Sequence, residues 1–140
     1  MPVFEAGVWE MAEARPLVVV VNDDAAMRDA LRFVLRLEGL EVQAYANGDA
    51  FLASRDLPHA KCLILKDRLP GLDAFELLRQ LRARELSPPV ILLTSAASPA
   101  LYGRAQAAGV WRVLEKPILD NRLVEAVTSV LAGCHAAKPT

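Results

Sequence analysis

The 140-residue sequence predicts an α/β fold, in which helices cover both faces of one five-stranded parallel sheet. Two observations support this. Short apolar or β-branched runs alternate five times with segments whose apolar residues recur at helical spacing. The connections between them are short and carry turn signals such as Asn47-Gly48, Pro70-Gly71 and Pro88-Pro89. Short connections between alternating strands and helices are typical of strands that run parallel with helices packed above and below them.

Five runs are predicted to be strands, and the first consists only of leucine and valine, as expected for a strand buried on both faces. The five predicted strands are Leu17–Val21, Glu41–Tyr45, Cys62–Lys66, Val90–Thr94 and 111–114.

Five helices are predicted between and after these strands, three of them from apolar residues that fall on one helical face. Those three faces consist of Met27, Leu31, Val34 and Leu35; of Ala74, Leu77, Leu78 and Leu81; and of Leu123, Val127, Val130 and Leu131. The second helix is short, over residues 49–54. Ser98-Pro99 opens the fourth as an N-cap followed by a first-turn proline.

Composition and charge exclude several classes of protein. The chain is 54% hydrophobic and 24% charged, which is typical of a globular domain, and no apolar run approaches the roughly 18 residues of a membrane span. A net charge of -1 argues against nucleic-acid binding by this domain. The acidic N-terminus does not resemble a signal peptide, and the two cysteines, Cys62 and Cys134, make neither a metal cluster nor an expected disulfide. We therefore expect a cytoplasmic protein with no membrane partner.

Three segments are expected along the chain: an N-terminal extension over residues 1–15, one domain over residues 16–132 and a tail over residues 133–140. Within the extension, Phe4, Val8 and Met11 lie at positions i, i+4 and i+7 with glutamates between them. This spacing fits one or two amphipathic turns of helix that dock on the domain. A leader without a structural role is the alternative.

Functional residues are expected directly after the strands, because ligand sites of open parallel sheets form at the carboxyl ends of their strands. The residues at these positions are Asn22, Asp23 and Asp24; Lys66, Asp67 and Arg68; Thr94 and Ser95; and Glu115, Lys116 and Pro117.

Four segments in this order resemble the receiver domains of bacterial two-component response regulators, the CheY-like family. They read VVVVNDDAAMRDAL, CLILKDRLPGLDAFELL, VILLTSA and AAGVWRVLEKP, and the resemblance as a whole runs from about Leu17 to Leu131. The second is similar to the pattern C-L-V-L-D-x-R-M-P-G of the branch typified by nitrogen-fixation regulators. The resemblance implies a flavodoxin-like, doubly wound sheet with strand order 2-1-3-4-5.

The resemblance also assigns roles to residues after the strands. In the family, the first strand ends in two acids that help to bind Mg²⁺, and here the pair reads Asn22-Asp23. The third strand ends in the aspartate that accepts a phosphoryl group from a histidine kinase, and here that position is Lys66. Thr94 matches the hydroxyl that senses the phosphoryl group, and Lys116 matches the lysine that pairs with it, whereas the aromatic switch position is Val113.

These departures predict a pocket without the usual chemistry. Phosphoryl transfer to an aspartate needs a carboxylate nucleophile and a cation on the phosphoryl oxygens. With Asp23 against Lys66 and Lys116, the pocket carries an excess of one positive charge, so we expect neither Mg²⁺ nor phosphorylation at Lys66. Lys66 is expected to pair with Asp23 and to donate a further hydrogen bond to Asn22. Asp24 is expected to be a solvated acid at the start of the first helix.

Asp67 is the obvious substitute acceptor, one residue further on. Because successive strand side chains point to opposite faces, its carboxylate is expected to point away from Thr94 and Lys116.

The function predicted from these residues is that of a degenerate receiver, or pseudo-receiver, which is not an enzyme and has no cofactor. It would act by contact with signalling proteins such as a histidine kinase or an output domain. A weak homodimer is expected through the fourth helix, fifth strand and fifth helix, where Tyr102 and Trp111 lie; Trp111 is equally consistent with a core position. Two alternatives stay open: a working phosphoacceptor that uses Asp67 or another acid, and an unrelated small enzyme or binding protein on a flavodoxin-like fold.

Overall fold

The computed structural model describes residues 15–116 and 122–133. Its five-stranded sheet has the order β2-β1-β3-β4-β5, and every neighbouring pair of strands is parallel. The predicted strand order and orientation are therefore confirmed. The strands are Leu17–Val21 (β1), Glu41–Tyr45 (β2), Cys62–Lys66 (β3), Val90–Thr94 (β4) and Arg112–Glu115 (β5).

Within the described ranges, five helices connect and follow the strands: Ala25–Leu37 (α1), Gly48–Leu52 (α2), Ala74–Ala83 (α3), Pro99–Ala107 (α4) and Arg122–Gly133 (α5). A single 3-10 turn, Leu57–His59, precedes β3. Each of the first four helices begins after a residue whose side chain accepts a backbone N–H of the first turn, which satisfies a donor that the helix itself cannot. These N-cap residues are Asp24, Asn47, Asp73 and Ser98.

Two apolar cores lie on opposite faces of the sheet. Alternate strand residues such as Val18 and Ile64 pack with α1 and α5, whereas Val19 and Leu65 pack with α2, α3 and α4. Cys62, at the start of β3, is fully buried in the first of these cores. Since burying one such aliphatic side chain contributes roughly 1.5–3 kcal/mol, the two cores hold the carboxyl ends of the strands in fixed register.

Local differences from the sequence-based expectations are small. Strand β5 begins at Arg112, one residue later than predicted, and α2 begins at Gly48 because the Asn47 side chain accepts the Ala50 N–H. Val34 lies at the edge of the apolar face of α1 and is exposed, so its predicted place in the core is wrong. Trp111 packs against the core beneath α1 and α5, which favours its core role.

Several predictions fall outside the described residues. These are the N-terminal extension up to residue 14 with Phe4, Val8 and Met11, the tail from residue 134 with Cys134, and Pro117. Among the helices that are described, none is long and apolar enough to cross a bilayer.

Candidate functional site

The carboxyl ends of β1, β3, β4 and β5 bring the predicted polar residues to one edge of the sheet. Asn22 follows β1, Lys66 and Thr94 end β3 and β4, and Lys116 follows β5. The backbone ladder continues past the strands on both sides of β4, because Asp67 N donates to Leu93 O at 2.9 Å and Lys116 N donates to Thr94 O at 2.7 Å. These residues are therefore held by the sheet itself.

Lys66 and Asp23 form the predicted ion pair. The ammonium Nζ lies 2.8 Å from Asp23 Oδ1, and the two side chains are 27% and 36% exposed. The hydrogen bond from Lys66 is the main reason why the pKa of Asp23 is lowered, and the charges of Lys66 and Lys116 lower it further against an opposing effect of desolvation. The carboxylate is thus held in its charged form with a lysine as its counterion.

Asn22 lies beside this pair and is fully buried. Its side-chain oxygen accepts the Asp24 N–H at 2.9 Å, and the Lys66 ammonium donates to Asp23 and not, as expected, to Asn22 as well. Its amide nitrogen Nδ2 has no hydrogen-bond partner within the described part of the chain. Asp24 accepts the N–H groups of Ala26 and Met27 and so caps α1.

Asp67 lies on the other side of β3 and contacts Thr94, contrary to the expectation that it points away. The buried Thr94 hydroxyl donates to Asp67 Oδ2 at 2.8 Å and accepts the Ala96 N–H at 3.0 Å. The expectation was wrong because Lys66 is the last residue of β3, and strict alternation of side chains ends with the strand. Asp67 is therefore a partner of Thr94 that the strand pattern does not indicate.

The pocket is consequently divided by β3 into two polar pairs. Lys66 leans across to Asp23 after β1, whereas Asp67 is bound by Thr94 of β4. With Asp67 included, this edge carries two carboxylates and two ammonium groups, so the predicted excess of positive charge is offset. Val113, which the resemblance places at the switch position, is half-buried and packs inward against the core that α3 and α4 cover.

Arg28 is a further residue of the site that no sequence pattern indicated. Its guanidinium Nη1 donates to the backbone carbonyl of Asn22 at 2.7 Å and so fixes the end of β1. Arg122 acts similarly at β5, donating to Glu115 O at 3.3 Å. The position of Arg28, one turn into a helix, is one at which a solvent-exposed arginine is also common. Its role is therefore visible only from its contact with the Asn22 carbonyl.

Two oxygen groups at this edge that could contact Mg²⁺ are already engaged by the protein. Magnesium requires nearly octahedral oxygen ligands, usually including one or two carboxylates. Here the Asp23 carboxylate is bound to an ammonium group, and the Asn22 oxygen is used by the backbone. Within residues 15–116 and 122–133, no cluster of three or more His, Cys, Asp or Glu side chains is arranged to hold a metal.

Asp67 also lines an open cleft between the loop after β3 and helix α4. Arg68, Phe75 and Arg104 contribute to its wall, and the Arg104 guanidinium lies 4.2 Å from the centroid of the Phe75 ring. The cleft gives solvent access to the Asp67 side of the pocket.

Comparison with known sequences gives a match to the family described as Response regulator receiver domain over residues 18–128. The transcriptional regulatory protein FixJ of Bradyrhizobium diazoefficiens is 34% identical over 120 residues, covering 86% of this chain and 58% of that protein. The C4-dicarboxylate transport transcriptional regulatory protein DctR of Rhodobacter capsulatus is 37% identical over 118 residues, covering 83% and 60%. The chain thus spans less than two thirds of the length of these curated relatives.

Solved structures with the same architecture include the chemotaxis protein CheY4 of Vibrio cholerae, with a TM-score of 0.78 and 26% identity over 84% of this chain and 100% of that one. The structure named FixJ-N has a TM-score of 0.74 and 28% identity, covering 84% of this chain and 94% of that one.

Proposed function

This chain belongs to the response regulator receiver domain family, and we propose that within this CheY-like family it is a degenerate receiver that signals without phosphorylation at the usual position. Membership of the family removes the alternative of an unrelated enzyme or binding protein on the same fold. The receiver unit in this proposal is residues 16–132, with residues 1–15 and 133–140 as flanking segments.

The ion pair between Lys66 Nζ and Asp23 Oδ1 carries the proposal. Lys66 occupies the position at which the family has its nucleophilic carboxylate, and a protonated amine has no lone pair with which to attack phosphorus. Its charge also lies where a metal would be needed to neutralise the phosphoryl oxygens. Both requirements for phosphoryl transfer therefore fail at one side chain.

A fixed internal cation would hold the pocket in one state, independently of kinase activity. Signalling would then depend on binding partners such as a histidine kinase or an output domain, in the cytoplasm where such systems operate. The relatives named above are transcriptional regulatory proteins of greater length, which supports an output domain as one class of partner.

Incubation with a small phosphodonor and Mg²⁺, followed by intact-mass measurement, tests this proposal. We expect the natural chain to gain no phosphoryl mass and to bind no Mg²⁺. The double variant Lys66→Asp/Asn22→Asp restores the family's acids and should gain both properties. Phosphorylation of the natural chain would overturn the proposal.

A phosphoacceptor at Asp67 is the second candidate, supported by the hydrogen bond from Thr94 at 2.8 Å. This hydroxyl matches the one that senses the phosphoryl group in the family, and the adjoining cleft gives access to it. If the natural chain gains mass, Asp67→Asn should abolish the gain, whereas Asp24→Asn, at the cap of α1, should leave it unchanged.

A weak homodimer through α4, β5 and α5 remains part of the proposal. Tyr102, which is 48% exposed on α4, supports a contact there. Light scattering at high protein concentration tests it, and a monomer at all concentrations would remove it.

A further inference from the structure

Helix α1 exposes a stripe of large apolar side chains, Phe33, Val34 and Leu37. Phe33 is 65% exposed and Leu37 is 69% exposed, and the two lie one helical turn apart. Of the large hydrophobic residues exposed in the described part of the chain, only Tyr102 lies on another element. Adjacent exposed apolar residues of this kind mark a contact surface.

We call the exposed residues Phe33, Val34 and Leu37 the α1 stripe. Two arginines lie next to it. Arg32 Nε is buried and has no hydrogen-bond partner among the described residues, and its Nη2 lies 3.6 Å from Asp29 Oδ1. Arg36, one turn later, donates to Val42 O at 3.2 Å. A buried guanidinium nitrogen without an acceptor is costly, and the rest of the Arg32 side chain is 36% exposed, so its guanidinium is open to a carboxylate that approaches this surface.

Pro16, which follows the N-terminal segment in the sequence, lies at the same end of the molecule as the α1 stripe. The carbonyl of Pro16 accepts the N–H of Glu41 at 3.1 Å, and Glu41 follows Leu37 by four residues. Four residues span at most about 14 Å. Residues 1–14, which would extend roughly 20 Å even as a helix, are therefore long enough to cover the stripe.

The sequence of this segment is complementary to the α1 stripe in both polarity and charge. It contains Phe4, Val8 and Met11 at one-face helical spacing, together with Glu5, Glu10 and Glu13 and no lysine or arginine. Its apolar residues match the exposed stripe, and its carboxylates match Arg32 and Arg36.

We infer that residues 1–14 dock on the α1 stripe, with their apolar residues against Phe33 and Leu37 and a glutamate bonded to Arg32. In this arrangement a segment of the same chain covers the exposed apolar side chains of α1. The arrangement does not depend on whether the receiver is phosphorylated.

Photo-crosslinking in the full chain tests the contact directly. A benzophenone amino acid in place of Phe33 should form an intramolecular crosslink to residues 1–14, identified by peptide mass spectrometry. The same amino acid in place of Tyr102, which is also aromatic and exposed, should not. A crosslinked dimer would assign the stripe to a second copy of the chain. Absence of a crosslink both to residues 1–14 and to a second copy would leave the stripe for another partner. Either result would overturn the inference.

A double-mutant cycle in the full chain gives a second, independent measurement. Phe33→Ser and Phe4→Ser should each lower the melting temperature by roughly 2–5 °C, and the double variant should lower it by no more than the larger single change, since both remove one contact. Because Phe33 is exposed on α1 and belongs to neither core, its replacement should leave the fold intact. No loss from Phe4→Ser, or fully additive losses, would contradict the docking.

Discussion

Lys66 and Asp67 are neighbours in the chain, yet they bind partners on opposite sides of β3. The consequence is that positive charge faces the end of β1, whereas the carboxylate faces the end of β4. Since both members of the Lys66–Asp23 pair are partly exposed, water screens the interaction. The pair therefore contributes about 1 kcal/mol or less, well below the roughly 3–5 kcal/mol lost when a fully buried pair is broken.

The lowered pKa of Asp23 predicts how this contribution depends on pH. A carboxylate with a depressed folded-state pKa stabilises the fold above its usual value of 3.8, and that stability is lost as the pH falls through the folded-state pKa. Asp23→Asn should thus lower the free energy of unfolding at pH 7 by about 0.5–1 kcal/mol. Urea denaturation should show this difference shrinking below pH 3.8.

Lys66→Met is the matched control, because it removes the same pair but leaves no cation without a counterion. It should cost less stability at pH 7 than Asp23→Asn and should lose the same acid dependence. A difference between Asp23→Asn and the natural chain that stays constant through acid pH would show that the ion pair is not its cause.

Of the contacts made by the site residues, some could be predicted from the sequence and others could not. The Lys66–Asp23 pair follows from a charge count, because a lysine at the end of a central strand needs a carboxylate. The Thr94–Asp67 bond does not follow, since the direction of a side chain beyond a strand depends on the path of the loop. The contact of Arg28 with the Asn22 carbonyl depends on the packing of α1 against β1.

At the level of elements, α4 is the helix with the weakest sequence support, and it is held mainly at its ends. Ser98 caps its start by accepting the Leu101 N–H at 3.1 Å. At its other end, Arg82 donates to Ala108 O at 2.6 Å and so ties α4 to α3. Only Ala105 of this helix is buried.

Gly103 lies inside α4 with open space around it, which gives a prediction for the stability of this helix. A Cβ at this position would meet no atom within 4 Å, so Gly103→Ala should raise the free energy of unfolding by about 0.5–1 kcal/mol. Gly109→Ala is the contrasting control and should lower it, because Gly109 has a φ of 80°. Thermal denaturation of both variants checks this, and a loss of stability in Gly103→Ala would show that α4 is not an ordinary helix here.

The boundaries of elements were predictable where burial is uniform and less so where the ends depend on polar contacts. Strands β1, β3 and β4 are apolar throughout their central residues, and all three lie where the sequence places them. The start of α2 depends on one asparagine cap. The exposed position of Val34 shows that a helical face read from spacing is wider than the stripe that the sheet buries.

Across the whole molecule, the sheet order could not be derived from the alternation of elements and followed from the family resemblance alone. The alternation predicts five parallel strands, but several crossover orders satisfy it. The role of residues 1–14 is inferred from the exposed α1 stripe and from the spacing of apolar and acidic residues in their own sequence.

The burial of Cys62 at the start of the central strand β3 makes this thiol an internal reporter of unfolding. A thiol reagent cannot reach the sulfur until β3 is exposed, so the labelling rate measures how often the sheet opens. In a Cys134→Ser background, labelling should accelerate with urea with the slope of global unfolding. Labelling insensitive to urea would instead reveal a local opening at β3, so one native side chain distinguishes partial from complete unfolding.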